Sequence, residues 1–302
     1  MFPTRMLLAM DGSRQSERAA RMAVRLAGDL DSELHVVYVG HIPSAYAAPE
    51  SMVLDPDFQE RVREMAEKDA REDLEEQVNR VRELGGEVAG AHARVGRPDA
   101  EIVHLAEELG AGLIVLGSRG LGPLRRAVLG SVSNSVVRHA HGAVLVVRGD
   151  SRERDYLPGR ILAAYDGSTE AEEAARAAVE ISSATGSELH LVYALQTAAH
   201  MPYPHPLAAE RSEALIEEAK HEARAFIDGA VDRMRSEGAG IADAHLVFGK
   251  PDDEIVKLSE ELEAGMIVMG SRGLGGVRRA LMGSVSDSVV KHAHCPVMVV
   301  RR

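Results

Sequence analysis

Short apolar runs alternate with longer segments of helical periodicity along the whole chain. Short runs bounded by glycine or polar residues are typical of strands, and apolar residues three and four positions apart are typical of helices. In the first half, the predicted strands are Met6–Met10, Glu33–Val39, Glu87–Val95, Leu113–Leu116 and Ala143–Val147. The predicted helices are Arg14–Gly28, Phe58–Leu84, a segment from Gly96-Arg97-Pro98-Asp99 to Gly110, and Gly130–His139.

The second half follows the same order from Arg160 to Arg301, with a strand at Glu188–Leu195 and a long helix over about 208–238. Strands that alternate with helices predict right-handed crossovers and a mostly parallel sheet with helices on both faces. Runs such as Leu113–Leu116 are apolar throughout, which is typical of strands buried on both sides. The pattern therefore predicts an α/β fold with doubly wound sheets.

A glycine-and-serine cassette of the form Gly-x2-Gly-x9-Gly-Ser occurs twice. The copies are Gly117, Gly120, Gly130 and Ser131 in the first half, and Gly270, Gly273, Gly283 and Ser284 in the second. The segments that contain them, 117–147 and 270–300, are identical at most aligned positions. A period of about 150 residues is too long for a solenoid unit. We predict tandem domains over 1–148 and 160–302, joined by a polar linker over 149–159.

Composition limits the partners that the chain can have. Lys plus Arg total 35 and Asp plus Glu total 47, which gives a net charge of −12 and disfavours nucleic acid and anionic membranes as partners. The single cysteine, Cys295, fits a reducing compartment. No early apolar run is long enough for a signal peptide core or a membrane span. A cytoplasmic location is expected.

The cassette has the chemistry of a phosphate site. Gly117 and Gly120 let the backbone bend close to an anion, and Gly130 and Ser131 begin a helix whose free N–H groups favour negative charge. Ser133 offers a second hydroxyl. Positive charge comes from Arg119, Arg125 and Arg126.

Asp11 follows the first strand, on the edge of the sheet where ligands of such folds bind. Its carboxylate is suited to accept from a ribose or to help hold a Mg²⁺ that bridges phosphates, and Asp166 is its counterpart. Two familiar phosphate motifs are absent. Gly249-Lys250 continues to Pro251 and not to Ser or Thr, and Gly120-x-Gly122 continues to Arg125 where a dinucleotide site needs glycine.

The strand followed by Asp-Gly-Ser, the Gly-x-Pro turns at 96–98 and 249–251, the cassette and the Val-rich last strand resemble the universal stress protein family, in particular its tandem two-domain members. The resemblance implies two five-stranded parallel sheets in the order 3-2-1-4-5 and ATP as the ligand. The nucleotide-binding residues predicted in the first half are Ala9, Asp11, Val39, Gly117, Arg119, Gly120, Gly130, Ser131, Val132 and Ser133. Those of the second half are Ala164, Asp166, Ala194, Gly270, Arg272, Gly273, Gly283, Ser284, Val285 and Ser286.

The resemblance also implies dimerisation through the last strand of each half, Val144–Val147 and Val297–Val300, which join the halves into an intramolecular pseudo-dimer. A homodimer of whole chains and an unknown protein partner remain open. Three functions are compatible with the sequence. They are a regulatory protein controlled by its nucleotide state, a slow ATPase or autophosphorylating enzyme, and a scaffold without nucleotide. No catalytic residue is predicted, because no histidine, glutamate or glutamine motif is placed to direct water.

Two paired histidines invite a metal interpretation, His139 with His141 and His292 with His294. We interpret them as residues at a helix end, where the helix dipole favours histidine. Cys295 corresponds to Gly142 in the first half and is interpreted as a small buried residue. The segment Met201–Pro206 is interpreted as a surface loop near the nucleotide.

Overall fold

The computed structural model describes residues 4–40, 56–120, 129–148, 158–196, 209–273 and 282–301. The chain forms two compact units, Phe2–Arg148 and Gly149–Arg302. The first unit contains β1 (Arg5–Met10), α1 (Arg14–Asp29), β2 (Glu33–Gly40), α2 (Pro56–Glu83), β3 (Gly90–Val95), α3 (Pro98–Leu109), β4 (Leu113–Gly117), α4 (Ser131–His139) and β5 (Ala143–Val147). The second contains β6 (Arg160–Ala164), α5 (Thr169–Thr185), β7 (Glu188–Leu195), α6 (Ala209–Ser236), β8 (Ile241–Phe248), α7 (Pro251–Glu261), β9 (Met266–Gly270), α8 (Ser284–His292) and β10 (Val297–Val300).

Each unit is built on a parallel sheet of the same strand order. In the first unit, β1 pairs with β2 and β4, β2 pairs with β3, and β4 pairs with β5. In the second, β6 pairs with β7 and β9, β7 pairs with β8, and β9 pairs with β10. Both sets give the order 3-2-1-4-5. The predicted α/β fold with tandem parallel sheets is confirmed.

The helices cover the sheet on both faces because the strand order reverses at β1. Right-handed crossovers before and after that reversal place α1 and α2 on one face of the sheet and α3 and α4 on the other. The two helices of each pair are in contact. The central strands are buried on both sides: Leu7, Leu8 and Val115 are 0% exposed. Burying each such side chain contributes roughly 1.5–3 kcal/mol to folding. The carboxyl ends of the strands are thereby held on a rigid layer.

The boundaries differ from the sequence-based expectations at the long second helix and the strand after it. Helix α2 begins at Pro56 and ends at Glu83, and the third strand begins at Gly90 rather than at Glu87. Gly85 has a φ of 83°, so the chain leaves the helix through a left-handed turn before it reaches the sheet.

The proline-rich loops at Pro43 and Pro49 and at 201–206, together with the linker residues 149–157, lie outside the described residues. In the part of the chain that the structure describes, no helix is long and apolar enough to cross a membrane.

Each unit carries a pair of hydrogen-bonded histidines between its second and third strands. The nitrogens His35 Nδ1 and His92 Nε2 are 3.1 Å apart, and His190 Nδ1 and His245 Nε2 are 3.0 Å apart. The rings of each pair are stacked, with centroids 5.4 and 5.3 Å apart. One nitrogen of such a pair must accept the proton of the other, so the hydrogen bond requires at least one neutral ring.

Burial, followed by the neighbouring imidazole and Arg94, lowers the pKa of His92, and Glu108 opposes this. Burial also lowers the pKa of His245, with Asp243 opposing the shift and His190 and Arg224 adding to it. A histidine with a lowered folded-state pKa binds a proton more readily when unfolded, where its pKa is about 6.5.

The free energy of unfolding is therefore expected to fall as the pH is lowered from 7.5 to 5. Carboxylates with lowered pKa values, such as Asp99 and Asp252, become protonated and reduce the free energy of unfolding only at lower pH. Urea titrations of the full chain at pH 7.5, 6.5, 5.5 and 5 would measure the fall. A His92→Gln/His245→Gln variant is expected to show a smaller pH dependence than the wild-type chain. An unchanged dependence would show that these pairs do not cause it.

Candidate functional site

The loops after β1 and β4 meet at the carboxyl edge of the first sheet, because these two strands are neighbours. The Asp11 Oδ1 atom accepts a hydrogen bond from the backbone N–H of Ser13 at 3.0 Å. The Ser13 hydroxyl caps α1, accepting from the N–H of Ser16, and it lies 3.3 Å from the carbonyl oxygen of Arg119. The Asp-Gly-Ser loop is thus fastened to the glycine loop of the cassette.

The second unit repeats this junction. Asp166 Oδ1 accepts from the backbone N–H of Ser168 at 3.0 Å and from its hydroxyl at 2.6 Å. The same hydroxyl lies 3.4 Å from the carbonyl oxygen of Arg272. Two loops that are about one hundred residues apart in sequence are therefore joined in the same way in both units.

A close contact between the aspartate and the second glycine of the cassette explains why that position is glycine. A Cβ atom on Gly120 would lie 2.3 Å from Asp11 Oδ2, and one on Gly273 would lie 2.2 Å from Asp166 Oδ2. The second carboxylate oxygen is thus held against the backbone of the glycine loop. The arrangement places one carboxylate oxygen at the entrance to the loop.

The helix after the cassette begins without a side-chain cap. Gly130 is the N-cap residue of α4, and its own N–H donates to the carbonyl oxygen of Ser118 at 2.8 Å. Gly283 does the same in α8, with Ser271 as the acceptor at 2.8 Å. The amides of the following residues point out of the helix end, where α-helices leave their first N–H groups unsatisfied. The amides available to an anion are therefore those of residues 131–133 and 284–286 rather than those of Gly130 and Gly283.

The serines of this first turn have different surroundings. Ser131 and Ser284 are exposed, whereas Ser133 and Ser286 are each only 2% exposed. The Ser133 hydroxyl donates to the carbonyl oxygen of Gly117 at 3.1 Å, and that of Ser286 donates to Ser271 at 2.8 Å. The second hydroxyl expected from the sequence is thus turned toward the strand end, where it fixes the helix against β4 or β9.

A cavity of about 660 Å³ lies at this edge of the second unit. Its volume is in the range of small-molecule sites. It is lined by all ten residues predicted in the second half: Ala164, Asp166, Ala194, Gly270, Arg272, Gly273, Gly283, Ser284, Val285 and Ser286. The cavity joins the ends of β6, β7 and β9 to the beginning of α8.

Sequence reasoning missed the apolar wall of this cavity. Pro251 and Ile255, on the first turns of α7, line it together with Met269 and Met282. The Gly-x-Pro turn was the available signal, because Pro251 and Ile255 are four residues apart and share one helix face. Side chains of this kind suit a flat, weakly polar group such as a nucleobase.

Tyr165, which also lines the cavity, is tied into the protein and carries no charge. Its hydroxyl donates to Glu172, and Arg233 Nη2 donates to its oxygen at 2.7 Å. Burial, with the Glu172 hydrogen bond, raises the pKa of Tyr165 to about 12. Burial likewise raises the pKa of Tyr38, on the second strand of the first unit, to about 12, with Asp73 adding to the shift. Neither tyrosine ionises at neutral pH.

The first unit has the same framework. Ala9 lies in β1, Val39 in β2 and Gly117 at the end of β4, while Ser131, Val132 and Ser133 form the first turn of α4. Arg125 and Arg126 lie outside the described residues. The predicted Mg²⁺ at Asp11 and Asp166 remains a prediction: within the described ranges, no group of three or more His, Cys, Asp or Glu side chains could hold a metal ion.

The paired histidines at the end of α4 and α8 have local partners. His139 Nδ1 lies 2.8 Å from the carbonyl oxygen of Ser135, and His292 Nδ1 lies 2.9 Å from that of Ser288. His141 Nδ1 lies 2.6 Å from a Glu107 carboxylate oxygen on α3. These contacts fix the helix end and agree with the interpretation made from the sequence. Cys295 is buried, as expected for a small core residue, and as the single cysteine of the chain it forms no internal disulfide.

The chain belongs to the universal stress protein family, whose sequence model matches residues 3–148 and 158–301. A universal stress protein of Mycobacterium tuberculosis is 30% identical over 308 residues, covering 98% of this chain and 94% of that protein. One of Mycolicibacterium smegmatis is 29% identical over 297 residues, covering 98% and 96%. The tandem organisation is therefore shared along the whole length of these relatives.

One solved structure that spans the whole chain agrees with the fold. The crystal structure of a universal stress protein from Archaeoglobus fulgidus has a TM-score of 0.69 and 25% identity, covering 99% of this chain and 98% of that chain. A universal stress protein in complex with cAMP is also similar, with 24% identity, a TM-score of 0.37 and coverage of 49% of this chain and 99% of that chain.

Proposed function

We propose that the chain is an ATP-binding regulatory protein with one nucleotide site in each unit. The observation that carries the proposal is the cavity of the second unit, where the Asp166 carboxylate, a glycine loop and an uncapped helix end converge. This combination offers an acceptor for ribose hydroxyls and donors for phosphate oxygens. The first unit holds the same loops in the same contacts.

The arrangement of the cavity fixes how the nucleotide would lie. The base would sit against Ala194, Ile255 and Pro251, with the ribose near the Asp166 carboxylate. The phosphates would reach the amides of residues 284–286. An acidic protein with a net charge of −12 repels polyanions at long range, so local donors must supply the affinity. Where Mg²⁺ accompanies the nucleotide, Asp166 would be the carboxylate nearest to it, and Asp11 in the first unit.

The regulatory part of the proposal follows from the position of the site. The nucleotide would connect the glycine loop after β9 with the start of α8, so ATP binding favours the conformation in which both are ordered. This change would control one or more of three interactions. They are pairing between the last strands of the two halves, formation of a homodimer of chains, and binding of a protein partner in the cytoplasm. Regulation requires no efficient hydrolysis.

The nucleotide that accompanies the purified full chain tests the proposal. We expect ATP in the supernatant after denaturation. We also expect ATP at one hundred times its Kd to stabilise a binding unit by about 2.7 kcal/mol. For a unit of this size, the melting temperature then rises by roughly 5–10 °C. Thermal unfolding with ATP, with AMP and with buffer alone would measure the shift.

Two outcomes would contradict the proposal. The absence of adenine nucleotide in the supernatant, together with an unchanged melting temperature in ATP, would favour a scaffold. Recovery of ADP alone, with steady phosphate release after ATP and Mg²⁺ are added, would favour a slow ATPase.

A further inference from the structure

The edge of the second sheet beside the proposed phosphate site carries two arginines that follow neighbouring strands. Val300 pairs with Gly270 in the β9–β10 ladder, and the N–H of Ser271 donates to the carbonyl oxygen of Val300 at 2.9 Å. Arg301 therefore lies opposite Ser271, and Arg272 is one position further along the neighbouring strand. Because both strands are parallel, both arginines leave it at the carboxyl edge.

The same backbone contacts bring the uncapped helix end to these arginines. Ser271 accepts a hydrogen bond from the N–H of Gly283, the N-cap residue of α8, at 2.8 Å. Ser271 thus links the end of β10, the glycine loop and the start of α8. The Arg272 guanidinium, which lines the cavity, and the first amides of α8 lie at this edge, and both favour an anion. Arg301 follows the neighbouring strand, near enough for the charge of Arg272 to act on it.

Arg272 lines the cavity, and its Nε atom is buried with no hydrogen-bond partner among the described residues. A buried donor of this kind costs free energy unless a ligand satisfies it. Burial, and then the positive charge of Arg272, lowers the pKa of Arg301. Two positive side chains that repel each other across this edge would be stabilised by a polyanion between them.

We propose that Arg272 and Arg301 form a subsite for the terminal phosphates of the nucleotide, so that Arg301 makes the second unit select ATP over AMP. This inference rests on the proposed function. Asp166 lies at the end of β6, and Arg301 follows β10, two strands away in the order β6-β9-β10. Neighbouring strands are about 4.8 Å apart, so this span of about 10 Å suits an extended triphosphate but exceeds a monophosphate.

The first unit has equivalent residues. Arg148 follows β5, is 8% exposed, and is the counterpart of Arg301. Ser118 donates its N–H to the carbonyl oxygen of Val147 at 2.9 Å and accepts from the N–H of Gly130 at 2.8 Å. Arg119 and Arg148 therefore occupy the same places relative to α4, and the selection of ATP applies to both sites.

The test compares the affinities for ATP and AMP by calorimetry on the full chain. In the Arg148→Gln/Arg301→Gln variant, we expect ATP to bind on the order of tenfold more weakly at both sites, which is the effect of losing one charge-assisted hydrogen bond. AMP binding is expected to stay within about twofold, because AMP does not reach the subsite. Arg301→Gln alone is expected to weaken ATP at only one of the two sites.

Two control variants separate charge from position. Arg176 is exposed on α5, so Arg176→Gln removes the same charge away from the cavity and should leave the ratio of ATP to AMP affinity unchanged. Arg301→Lys keeps the charge and should retain most of the ratio, which also gives a result if the Gln variants fail to fold.

The outcomes distinguish the two proposals. A wild-type chain that binds neither nucleotide overturns the proposed function and this inference with it. A wild-type chain that binds ATP and AMP equally, or Gln variants that keep the wild-type ratio, overturns the arginine subsite alone. The arginine subsite is also overturned if Arg176→Gln lowers the ratio of ATP to AMP affinity as strongly as Arg301→Gln does. The effect would then be one of overall charge.

Discussion

Replacing Gly270 with alanine is expected to destabilise the second unit by about 2 kcal/mol or more, the range for overpacking in a tight interior. A Cβ atom at this position would lie 2.8 Å from the carbonyl carbon of Glu170 and 3.0 Å from the backbone nitrogen of Ala171. Both atoms belong to the first turn of α5, which cannot rotate away as a side chain can. The glycine is required because β9 and α5 approach closely, whether or not a nucleotide is bound.

The matched control is Gly229→Ala in α6. Apart from its chain neighbours and the nearby backbone of α6 itself, no atom of the described residues lies within 4 Å of a Cβ placed there, so alanine adds helix propensity without a new contact. It is expected to stabilise the unit by roughly 0.5–1 kcal/mol. Urea unfolding of both variants and of the wild-type chain, without added nucleotide, would measure the two changes. Equal stability of Gly270→Ala and the wild-type chain would refute the proposed contact.

Replacing Gly273 with alanine is expected to reduce the affinity for nucleotide strongly and the free energy of unfolding only slightly. The Cβ would meet the Asp166 Oδ2 atom at 2.2 Å, and that atom is the end of a side chain that can turn aside. The carboxylate would then leave the place where it is proposed to accept from the ribose. Losing a hydrogen bond to a charged group corresponds to a roughly ten- to hundredfold weaker affinity.

Calorimetric titration with ATP and urea unfolding of the same preparations would measure both quantities. Because the first site stays intact, the expected isotherm shows one site of wild-type affinity and one weakened site. Gly229→Ala serves again as the control and should bind as the wild-type chain does. If both sites of the Gly273→Ala variant bind ATP with wild-type affinity, the Asp166 carboxylate does not contact the nucleotide.

The sequence predicted the fold because its signals are local and repeated. The apolar runs at Met6–Met10 and Leu113–Leu116 predict strands, and the structure buries both. The strand order follows from the family resemblance, and the pairings of β1 with β2 and β4 confirm it. The last strand of the first half, Ala143–Val147, has the predicted bounds.

The sequence predicted which residues of the second half lie together, and their binding of a nucleotide stays a prediction. The ten residues predicted in the second half line one cavity. The sequence could not reveal that the N–H of Gly283 is already used by Ser271, or that the Ser286 hydroxyl faces the strand end. Both facts depend on how α8 packs against β9. The apolar wall at Pro251 and Ile255 was missed for the same reason, because packing between distant segments brings α7 to the cavity.

A crystal structure of the full chain with a non-hydrolysable ATP analogue tests the central claim most directly. We expect phosphate oxygens within hydrogen-bonding distance of the backbone amides of residues 284–286, and of 131–133 in the first unit. We also expect the ribose hydroxyls to contact the carboxylates of Asp166 and Asp11. A nucleotide bound away from these helix ends, or empty cavities at a saturating concentration of the analogue, would contradict it.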